Sequence, residues 1–354
     1  MRRIIVRINR HVPVWCRKKK ITAKALELLY SLLILVDDDF KVQMKTALQM
    51  YNTDAMNQRA LYKDMLREFV RSWICPVEYA KFELLEKSRK ERDTYIPDYE
   101  EVNIFKRTPG NNTLPDSKYE RYLMFKKFFQ RQILAVSSIS TPSEDDYNAF
   151  LAGKESVVVK PMKGTKGHGV TVISTNKIKT LFDFRTLFDG DYLIEEMIQQ
   201  GEELKQFHPN SVNTIRFVTG INHSGEFFHL FSLFRIGRGS NVVDNVSNGG
   251  LVALIDMESG EICAPACCGT ERFEAHPDTE VRFQGFAVPE WNKLRSLVRE
   301  MHLEHPHQRL FGFDIAWTKS GWDLVEVNPA PSFDSYQELT GEGIRPYLQR
   351  IGML

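Results

Sequence analysis

The chain of 354 residues is long enough for two or three packed units, and its 42% hydrophobic and 26% charged residues are typical of a folded globular protein. A formal net charge of +1 argues against a nucleic-acid-binding protein, because such proteins usually carry a strong basic excess that neutralises phosphates. Five cysteines lack the dense, even pattern of a secreted disulfide scaffold, so we expect a reducing, cytoplasmic location.

The amino terminus combines a basic start with an apolar run. Its first twenty residues contain eight Arg or Lys and no acid. We expect these to form a solvated charge cluster, with contact to an anionic membrane surface as the alternative. The longest apolar run, Ala25–Val36, falls short of the ~20 residues that span a bilayer. It predicts a buried helix and no transmembrane segment.

Residues from about Lys20 to Arg92 show a helical pattern, because long stretches lack glycine and apolar side chains return every three or four residues. One buried helical face is predicted from Leu61, Met65, Phe69 and Trp73. The prolines, glycine and asparagines of Ile96–Leu114 predict a connecting loop. Another helix is predicted from about Pro115 to Phe129.

From Val157 onward the sequence is rich in predicted strands. Short β-branched or aromatic runs alternate with turn residues. These runs are SVVVK, VTVIS, YLIEE, TIRFVTGI, EFFHLFSLFRI, LVALIDM, FDIAWT and WDLVEV. Helices are predicted around Lys177–Phe188 and Glu290–His302.

The stretch VVVKPMKGTKGHGV predicts an anion site. Lys160 ends a strand that should be buried, and a buried ammonium needs a phosphate or carboxylate partner because an unpaired one is costly. The loop that follows, Lys163–Gly169, contains two lysines and can turn backbone amides toward oxygen anions as a phosphate lid. Its glycines are Gly164, Gly167 and Gly169. Their spacing matches neither the Walker loop nor the dinucleotide GxGxxG motif, so support must come from other parts of the chain.

The stretch YLIEEMIQQGEE predicts an adenine slot. An apolar strand followed by apolar side chains can cover a flat base and offer it backbone donors and acceptors. A carboxylate about one strand-length further on could accept hydrogen bonds from ribose hydroxyls. The residues concerned are Glu195, Glu196, Met197, Ile198, Glu202 and Glu203. An edge strand with a solvated acidic turn is the alternative.

The stretch GFDIAWTKSGWDLVEVNPAP predicts a metal site. Two strands joined by a short turn at Lys319–Gly321 would place Asp314 on one strand and Glu326 and Asn328 on the other. Residues two apart in a strand point to the same face, so these side chains can converge as three oxygen ligands. Such a set suits Mg²⁺, which keeps waters and takes phosphate oxygens to complete its octahedron.

Two intervening stretches, SVNTIRFVTG and FRIGRGSNVVDNVSNGG, concentrate arginine, asparagine and glycine at strand ends. Arg216 and Arg235 are the candidate cations there, because a guanidinium fork matches a carboxylate or a phosphate. Each could instead be an ordinary surface residue. The candidates for orienting a second substrate are Asp244, Asn245, Gly249 and Gly250.

Taken in order, these motifs resemble the ATP-grasp superfamily, and within it the sugar-transfer-associated ATP-grasp family found among polysaccharide and capsule biosynthesis genes. The resemblance covers roughly Pro115 to Ser335, with a weaker match at Cys75–Ile96. It implies an α+β, ATP-grasp fold, in which two α+β subdomains clasp ATP. The implied boundaries are 1–112 for a mainly helical region, 113–195 for the small subdomain with the lid, and 196–354 for the C-terminal subdomain with the metal site.

The resemblance also implies a role for each candidate. The residues that would contact ATP are Lys118, Lys160, Glu195 at the adenine hinge, and Glu202 at the ribose, with Glu203 as the alternative. The residues that would hold Mg²⁺ are Asp314, Glu326 and Asn328. Arg235 would contact the transferring phosphate, and Arg216 with Asn213 would face the acceptor. The helical start departs from the family, since many ATP-grasp enzymes begin with a Rossmann-like unit.

Residues and resemblance together predict an ATP-dependent carboxylate–amine ligase that uses Mg²⁺ and forms an amide through an acyl phosphate. The expected substrates are an amine or amino acid and a sugar acid, such as a sugar-nucleotide uronic acid, in capsular or surface polysaccharide biosynthesis. Such chemistry requires no protein nucleophile, because positioning and charge stabilisation supply most of the acceleration. The alternatives are an ATP-dependent kinase that phosphorylates a hydroxyl and a non-catalytic nucleotide-binding scaffold.

Overall fold

The structure, a computed structural model, describes residues 38–51, 55–107, 114–138, 140–164, 169–240, 244 and 249–354. The chain divides into two compact units, one of Met1–Arg107 with Ser332–Leu354 and one of Thr108–Pro331. The boundaries expected at 112 and 195 stay predictions. The helical unit also takes in Ser332–Leu354, which those boundaries assign to the C-terminal subdomain.

The secondary structure separates into a helical part and a strand-rich part. Within the described residues the helices are α1 (Asp38–Tyr51), α2 (Ala55–Ser72), α3 (Pro76–Lys81), α4 (Arg89–Arg92), α5 (Asp98–Arg107), α6 (Lys118–Met124), α7 (Glu144–Leu151), α8 (Leu181–Leu187), α9 (Glu202–Lys205), α10 (Trp291–Leu303), α11 (Asp334–Thr340) and α12 (Arg345–Arg350). The strands there are β1 (Ile133–Val136), β2 (Ser156–Pro161), β3 (Thr171–Ser174), β4 (Tyr192–Glu196), β5 (Thr214–Ile221), β6 (Phe227–Ile236), β7 (Leu251–Ile255), β8 (Ala266–Cys268), β9 (Glu271–Phe273), β10 (Leu310–Thr318) and β11 (Gly321–Asn328).

In the first unit, helices α1 to α3 pack around an apolar core. The predicted face on α2 is confirmed at Leu61, Met65 and Phe69, which are buried at spacing i, i+4 and i+8. Each such side chain contributes roughly 1.5–3 kcal/mol through the apolar surface it removes from water. Trp73 lies just beyond the end of α2, is half-buried and packs against this core.

The loop predicted at Ile96–Leu114 is wrong over α5, which occupies Asp98–Arg107. The prolines and the glycine of that stretch precede or follow Asp98–Arg107 in the sequence, so none of them interrupts the helix. Pro97 precedes the first turn, and Asp98, Glu100 and Glu101 lie within it. Proline is tolerated there because the first amides of a helix have no intrahelical partner, and negative charge is favourable near a helix amino terminus.

The second unit contains two antiparallel sheets, which confirms the predicted strand-rich half. Their strand orders are β1–β4–β2–β3 and β11–β10–β5–β6–β7–β8–β9. The helices predicted near 177–188 and 290–302 are confirmed as α8 and α10. The apolar face of α10, with Trp291, Leu294 and Val298, belongs to the same core as Phe217 of β5, and this core fixes the sheet that carries the candidate metal ligands.

The β10–β11 hairpin has the predicted short turn, because Thr318 pairs with Gly321. Asp314 pairs with Glu326, whereas Ile315 pairs with Leu324. Within the described strands, Val325 therefore has no residue opposite it and forms a β-bulge.

Among the residues that the structure describes, no helix combines the length and apolar character needed to cross a membrane. The helix predicted at Ala25–Val36 lies outside those residues.

Candidate functional site

One cavity of the second unit lies where α6, β2, β4 and β11 meet. Its charged lining is Lys118, Arg121, Lys160, Glu195 and Glu326. Its apolar and aromatic lining is Tyr122, Phe129, Ile133, Leu193, Val325 and Val327. The structure thus brings four of the sequence-predicted site residues to one place beside an apolar lining. The cavity has a volume of about 20 Å³, which is room for about one water molecule, so a base could enter only if the lining moved apart.

Lys118 enters this cavity from the first position of α6. Ser117 caps the helix by accepting a hydrogen bond from the amide of Glu120. The amide of Lys118 donates to the carbonyl of Met162 at 3.0 Å, which fixes the helix start beside the end of β2. The Lys118 ammonium lies 3.6 Å from Oε1 of Glu326. The helix cap therefore sets where this cation lies.

Lys160 forms a buried ion pair with Glu195 of the neighbouring strand, at 2.5 Å between Nζ and Oε1. Burial lowers the pKa of Lys160, and the charge of Glu195 opposes that effect. Burial alone would raise the pKa of Glu195, but Lys160 and Arg131 outweigh it and hold this pKa below its ordinary value. The carboxylate of Glu195 is therefore a counter-ion, and a contact with adenine from this position would have to come from the main chain.

The other candidates for the adenine and ribose are spread from the last residue of β4 to the first turn of α9. Glu196 accepts a hydrogen bond from the amide of Gln132 at 3.1 Å, and Met197 and Ile198 are half-buried. Glu203 accepts from Nε1 of Trp317 at 2.8 Å. Glu202 is exposed and pairs with Lys205 at 3.2 Å. Which of Glu202 and Glu203 would contact the ribose stays open.

A second group of charges lies on β5, β6 and β10. Arg216 donates to both carboxylate oxygens of Asp314, and Arg235 donates to Oδ2 of Asp314 at 3.0 Å and to Oδ1 of Asp244 at 3.1 Å. Thr214 also donates to Asp244. Burial would raise the pKa of Asp314, but Arg216 and Arg235 outweigh it and the pKa is lowered. Burial raises the pKa of Asp244 despite Arg235. The two predicted cations thus meet at Asp314.

The predicted metal ligands share one face of the hairpin. Asp314 lies opposite Glu326, and Nδ2 of Asn328 donates to Oδ2 of Asp314 at 3.3 Å. Two carboxylates and an amide are hard oxygen donors, and they fit Mg²⁺ if water and phosphate oxygens complete the coordination. A metal would compete with the arginines for Asp314. In the described part of the chain, no group of three or more His, Cys, Asp or Glu side chains is arranged to hold a metal ion, so the amide is needed to complete a set of three.

The structure does not place Asn213 where it could face an acceptor. Its side chain is fully buried. Nδ2 donates to the carbonyls of Leu204 at 2.9 Å and His208 at 3.0 Å, while Oδ1 accepts from the amide of Gly237 at 3.2 Å. A buried amide whose donors and acceptor are used inside the protein stabilises the local backbone. The substrate contact predicted for Asn213 is therefore corrected to a structural role.

The remaining candidates lie at loops. Lys163 and Gly164 are exposed after β2, and Gly169 precedes β3 with a φ of 77°. Gly249 and Gly250 precede β7, and Gly249 has a φ of 85°. Gly167, Lys166 and Asn245 lie outside the described residues. The roles proposed for these residues stay predictions.

Sequence reasoning missed Arg121, Arg131 and Asp323. Arg121 lines the cavity, and burial lowers its pKa while Glu326 opposes that effect. Arg131 pairs with Glu195 and with Asp323, and both acids are buried. A usable signal was present, because Asp323 stands between Trp322 and Leu324 in a predicted strand and a buried acid requires a cation.

The comparison with protein families decides how this arrangement is classified. A profile described as sugar-transfer associated ATP-grasp matches residues 123–353, more than half of the chain. The chain belongs to the sugar-transfer associated ATP-grasp family. Membership confirms the resemblance expected from the motifs. Together with the helices and antiparallel sheets described above, it confirms an α+β fold of the ATP-grasp type with a helical region before it.

Solved structures similar to this ATP-grasp chain include N5-carboxyaminoimidazole ribonucleotide synthetase from Thermotoga maritima, at 15% identity over 62% of this chain and 43% of that one, with a TM-score of 0.36. D-Alanyl-alanine synthetase A from Vibrio cholerae matches at 14% identity over 67% and 60%, with a TM-score of 0.38. D-Alanine-D-alanine ligase from Helicobacter pylori matches at 12% identity over 67% and 60%, with a TM-score of 0.40.

The chain spans 43% to 60% of the length of these three solved proteins. Similarity at this level carries no argument about the activity of this ATP-grasp chain. No curated protein matches the sequence.

Proposed function

We propose that the chain is an ATP-dependent ligase that joins a carboxylate to an amine and forms an amide through an acyl phosphate. The observation that carries the proposal is the meeting of Lys118, Lys160 and Glu326 at one cavity in a chain of the ATP-grasp family. Two ammonium groups beside a carboxylate suit a polyphosphate that arrives with a divalent cation, since each charge then finds an opposite one.

We propose that ATP binds at this cavity, which would have to widen to admit the base. Lys118 and Lys160 would hold phosphate oxygens, and the apolar lining, with Ile133 and Leu193, would cover the base. The loop Lys163–Gly169 would close over the phosphates. Closure would exclude water, which matters because an acyl phosphate hydrolyses.

Asp314, Glu326 and Asn328 would hold Mg²⁺, which supplies neutralisation of charge on the phosphate oxygens when it is bound. Arg216 and Arg235 already converge on Asp314, so their guanidinium groups are placed beside this set. We propose that Arg235 contacts the phosphoryl group in transit and that Arg216 orients the acid substrate, because a planar fork fits either anion.

We propose a reaction in two steps. A carboxylate oxygen of the acid attacks the γ-phosphorus, the bond to the β–γ bridging oxygen breaks, and ADP leaves. The amine nitrogen then attacks the acyl carbon, and inorganic phosphate leaves with the bonding pair. The attacking nitrogen loses its extra proton to solvent, which leaves the neutral amide. Residues of this chain hold the reactants and balance their charge, and none forms a covalent bond.

The family description supports a sugar context for the substrates. We propose a sugar acid, such as a sugar-nucleotide uronic acid, as the carboxylate and an amino acid or small amine as the acceptor. Surface polysaccharide biosynthesis is the process in which such an amide would be made.

The test is an ADP-release screen that pairs sugar-nucleotide uronic acids and other carboxylates with amino acids and small amines, and compares the wild type with Glu326→Ala. ADP formation that requires both partners, and that the variant loses, supports the ligase. Hydroxylamine should then trap the acyl phosphate as a hydroxamate. A stable phosphorylated product without a hydroxamate identifies a kinase instead. ATP binding without turnover on any pair identifies a nucleotide-binding scaffold.

A further inference from the structure

The side chain of Arg131 is buried between the two sheets of the second unit, and each of its five N–H donors has an acceptor. Nε and Nη2 donate to Oε2 of Glu195 at 3.1 and 2.8 Å. Nη1 donates to Oδ2 of Asp323 at 3.0 Å and to the carbonyl of Leu324 at 2.7 Å, and Nη2 donates to the carbonyl of Val325 at 3.2 Å. A guanidinium has five donors in a fixed plane, so every N–H donor of Arg131 is occupied by an acceptor within the protein.

The two carbonyls that Arg131 binds belong to the β-bulge of β11. Leu324 is the last residue paired in the register that begins at the turn, and Val325 is the inserted residue. An inserted residue has no ladder partner, and its carbonyl needs another donor when it is buried. Arg131 supplies that donor from outside the hairpin, while the amide of the adjacent Gln130 donates to Asp323 at 2.9 Å.

The bulge decides which face Glu326 and Asn328 occupy. If the pairing of Ile315 with Leu324 continued without an insertion, Glu326 would lie opposite Phe313 and Asn328 opposite Phe311. Both phenylalanines are fully buried in the apolar core. A shift of one residue turns every later side chain to the other face of the sheet, so both polar side chains would leave the face of Asp314.

The same guanidinium also holds the counter-ion of Lys160. Glu195 receives Arg131 on Oε2 and Lys160 on Oε1, so the position of the carboxylate, and with it that of the ammonium, depends on Arg131. Arg131 itself does not line the cavity, but two residues that it binds, Glu195 and Val325, do.

We propose that Arg131 is a positioning residue that sets both sides of the nucleotide site, the metal-ligand face through the bulge and Lys160 through Glu195. The inference rests on the proposed function for its consequence, which is the Mg²⁺-dependent binding of ATP. Arg131 touches neither nucleotide nor metal in this account.

The experiment compares Arg131→Lys and Asp323→Asn with a matched control, Arg309→Lys. A lysine keeps the charge but has three donors on one nitrogen, so it cannot replace the five hydrogen bonds that the three nitrogens of Arg131 donate. Asp323→Asn removes one partner of Arg131 and tests the idea separately if the lysine variant does not fold. Arg309 also donates to a backbone carbonyl, that of Ile221 at 2.6 Å, next to the start of β10.

Two readouts are needed. Hydrogen exchange of the segment Leu324–Asn328, measured on the full chain, reports the bulge without any ligand. Calorimetric titration with the non-hydrolysable analogue AMP-PNP, with Mg²⁺ or with EDTA, reports how far the metal tightens nucleotide binding. We expect the backbone amides of Leu324–Asn328 to exchange at least about tenfold faster in Arg131→Lys and in Asp323→Asn than in Arg309→Lys. In both of these variants Mg²⁺ should strengthen the binding of AMP-PNP much less than it does in the wild type.

The positioning role of Arg131 and the proposed function would be contradicted by different outcomes. Wild-type exchange at Leu324–Asn328 and an unchanged Mg²⁺ effect in folded Arg131→Lys would overturn the positioning role. A loss of thermal stability with an unchanged Mg²⁺ effect would also overturn it, because the residue would then be merely structural. If the wild type itself does not bind AMP-PNP, the proposed function fails, and the exchange data still decide whether Arg131 holds the bulge.

Discussion

Lys160 shows how a single side chain ties folding to function in this chain. Its side chain is only 13% exposed, and its ammonium lies against the carboxylate of Glu195, which also binds Arg131. An isolated ammonium would be costly at this depth, so the ion pair lets the cation stay in the cavity. A bound phosphate would share with Glu195 the positive charge of the Lys160 ammonium.

We predict that Lys160→Met weakens the binding of AMP-PNP by at least about tenfold, because a phosphate contact is lost where water is scarce. Stability should fall by about 1–3 kcal/mol, since Glu195 stays buried with Arg131 as its remaining cation. Calorimetric titration and urea unfolding measure the two effects.

Lys154→Met is the matched control for this change. Lys154 donates to the carbonyl of Phe150 at 2.7 Å in the same part of the unit and does not line the cavity. It should lose some stability and keep its affinity for AMP-PNP. Equal affinity of Lys160→Met and the wild type would contradict the role assigned to Lys160.

At the scale of elements, the proposed lid Lys163–Gly169 connects β2 to β3, and Gly169 is its last residue. Gly169 has a φ of 77°, and a Cβ added there would lie 2.8 Å from Cγ of Pro161. Pro161 follows Lys160 directly at the end of β2. A side chain at position 169 would therefore push on the strand end that presents the ammonium.

We predict that Gly169→Ala lowers both stability and the affinity for AMP-PNP. The positive φ costs roughly 1 kcal/mol for any residue with a Cβ, and displacement of Pro161 adds to that. Urea unfolding and calorimetric titration of the full chain measure the changes.

Gly225→Ala is the control that separates the cost of the positive φ from the cost of displacing Pro161. Gly225 has a φ of 82°, but a Cβ there would have no atom within 4 Å. It should show the conformational cost alone and bind AMP-PNP normally. If both variants lose the same free energy of unfolding and keep the same affinity, the collision with Pro161 has no consequence.

The hairpins also show which features of the fold and of the candidate site could be predicted from the sequence. Alternating apolar runs and turn residues predicted the strands and the β10–β11 turn, and i, i+2 spacing predicted that Glu326 and Asn328 share the face of Asp314. The bulge at Val325 was not predictable from local pattern, because its carbonyl depends on Arg131, which is far away in the sequence. Asn213 was misplaced for the same reason, since the groups that saturate its amide come together only in the folded chain.

At the scale of the whole molecule, both units hold buried carboxylates whose pKa is shifted from its ordinary value, and the direction of the shift depends on the charges nearby. In the helical unit, burial and the charge of Asp334 raise the pKa of Glu78 to about 7 and that of Glu101 well above its ordinary value. In the second unit, cations hold the pKa of Glu195 and Asp314 below the ordinary range despite burial. Glu195 and Asp314 should therefore respond to pH in the opposite direction to Glu78 and Glu101, whereas Asp244 and Asp323 of the second unit, whose pKa burial raises, should respond as Glu78 and Glu101 do.

The direction follows from proton binding. A carboxyl whose pKa is higher in the folded state binds protons more tightly there, so its contribution to stability is complete below the ordinary value of 4.5 and is lost as pH rises toward about 7. A carboxyl whose pKa is lowered contributes above its ordinary value and loses that contribution as pH falls. We expect the helical unit to weaken between about pH 4.5 and pH 7, and the contribution of Glu195 and Asp314 to the second unit to be lost in acid.

Asp334 is the residue through which this pH response can be changed. Burial raises its own pKa to about 6, Lys81 opposes the rise, and Asp98 and Glu338 add to it. Glu78 also lies near Cys75, whose amide donates to it at 2.7 Å. Asp334→Asn removes one negative charge that faces Glu78 and Glu101 without touching the hydrogen bonds that those two carboxylates accept from Cys75, Asp98 and Phe333.

We predict that Asp334→Asn stabilises the helical unit by about 1–2 kcal/mol above about pH 7 and flattens its decline with pH, because one pKa unit corresponds to about 1.4 kcal/mol. Urea unfolding at a series of pH values, read by pulsed hydrogen exchange of α3 and α5 at one fixed labelling pH, measures this unit alone. Glu342→Gln removes an exposed carboxylate of the same unit and should leave the slope unchanged. A wild-type slope in Asp334→Asn would show that its charge does not set the protonation of Glu78 and Glu101.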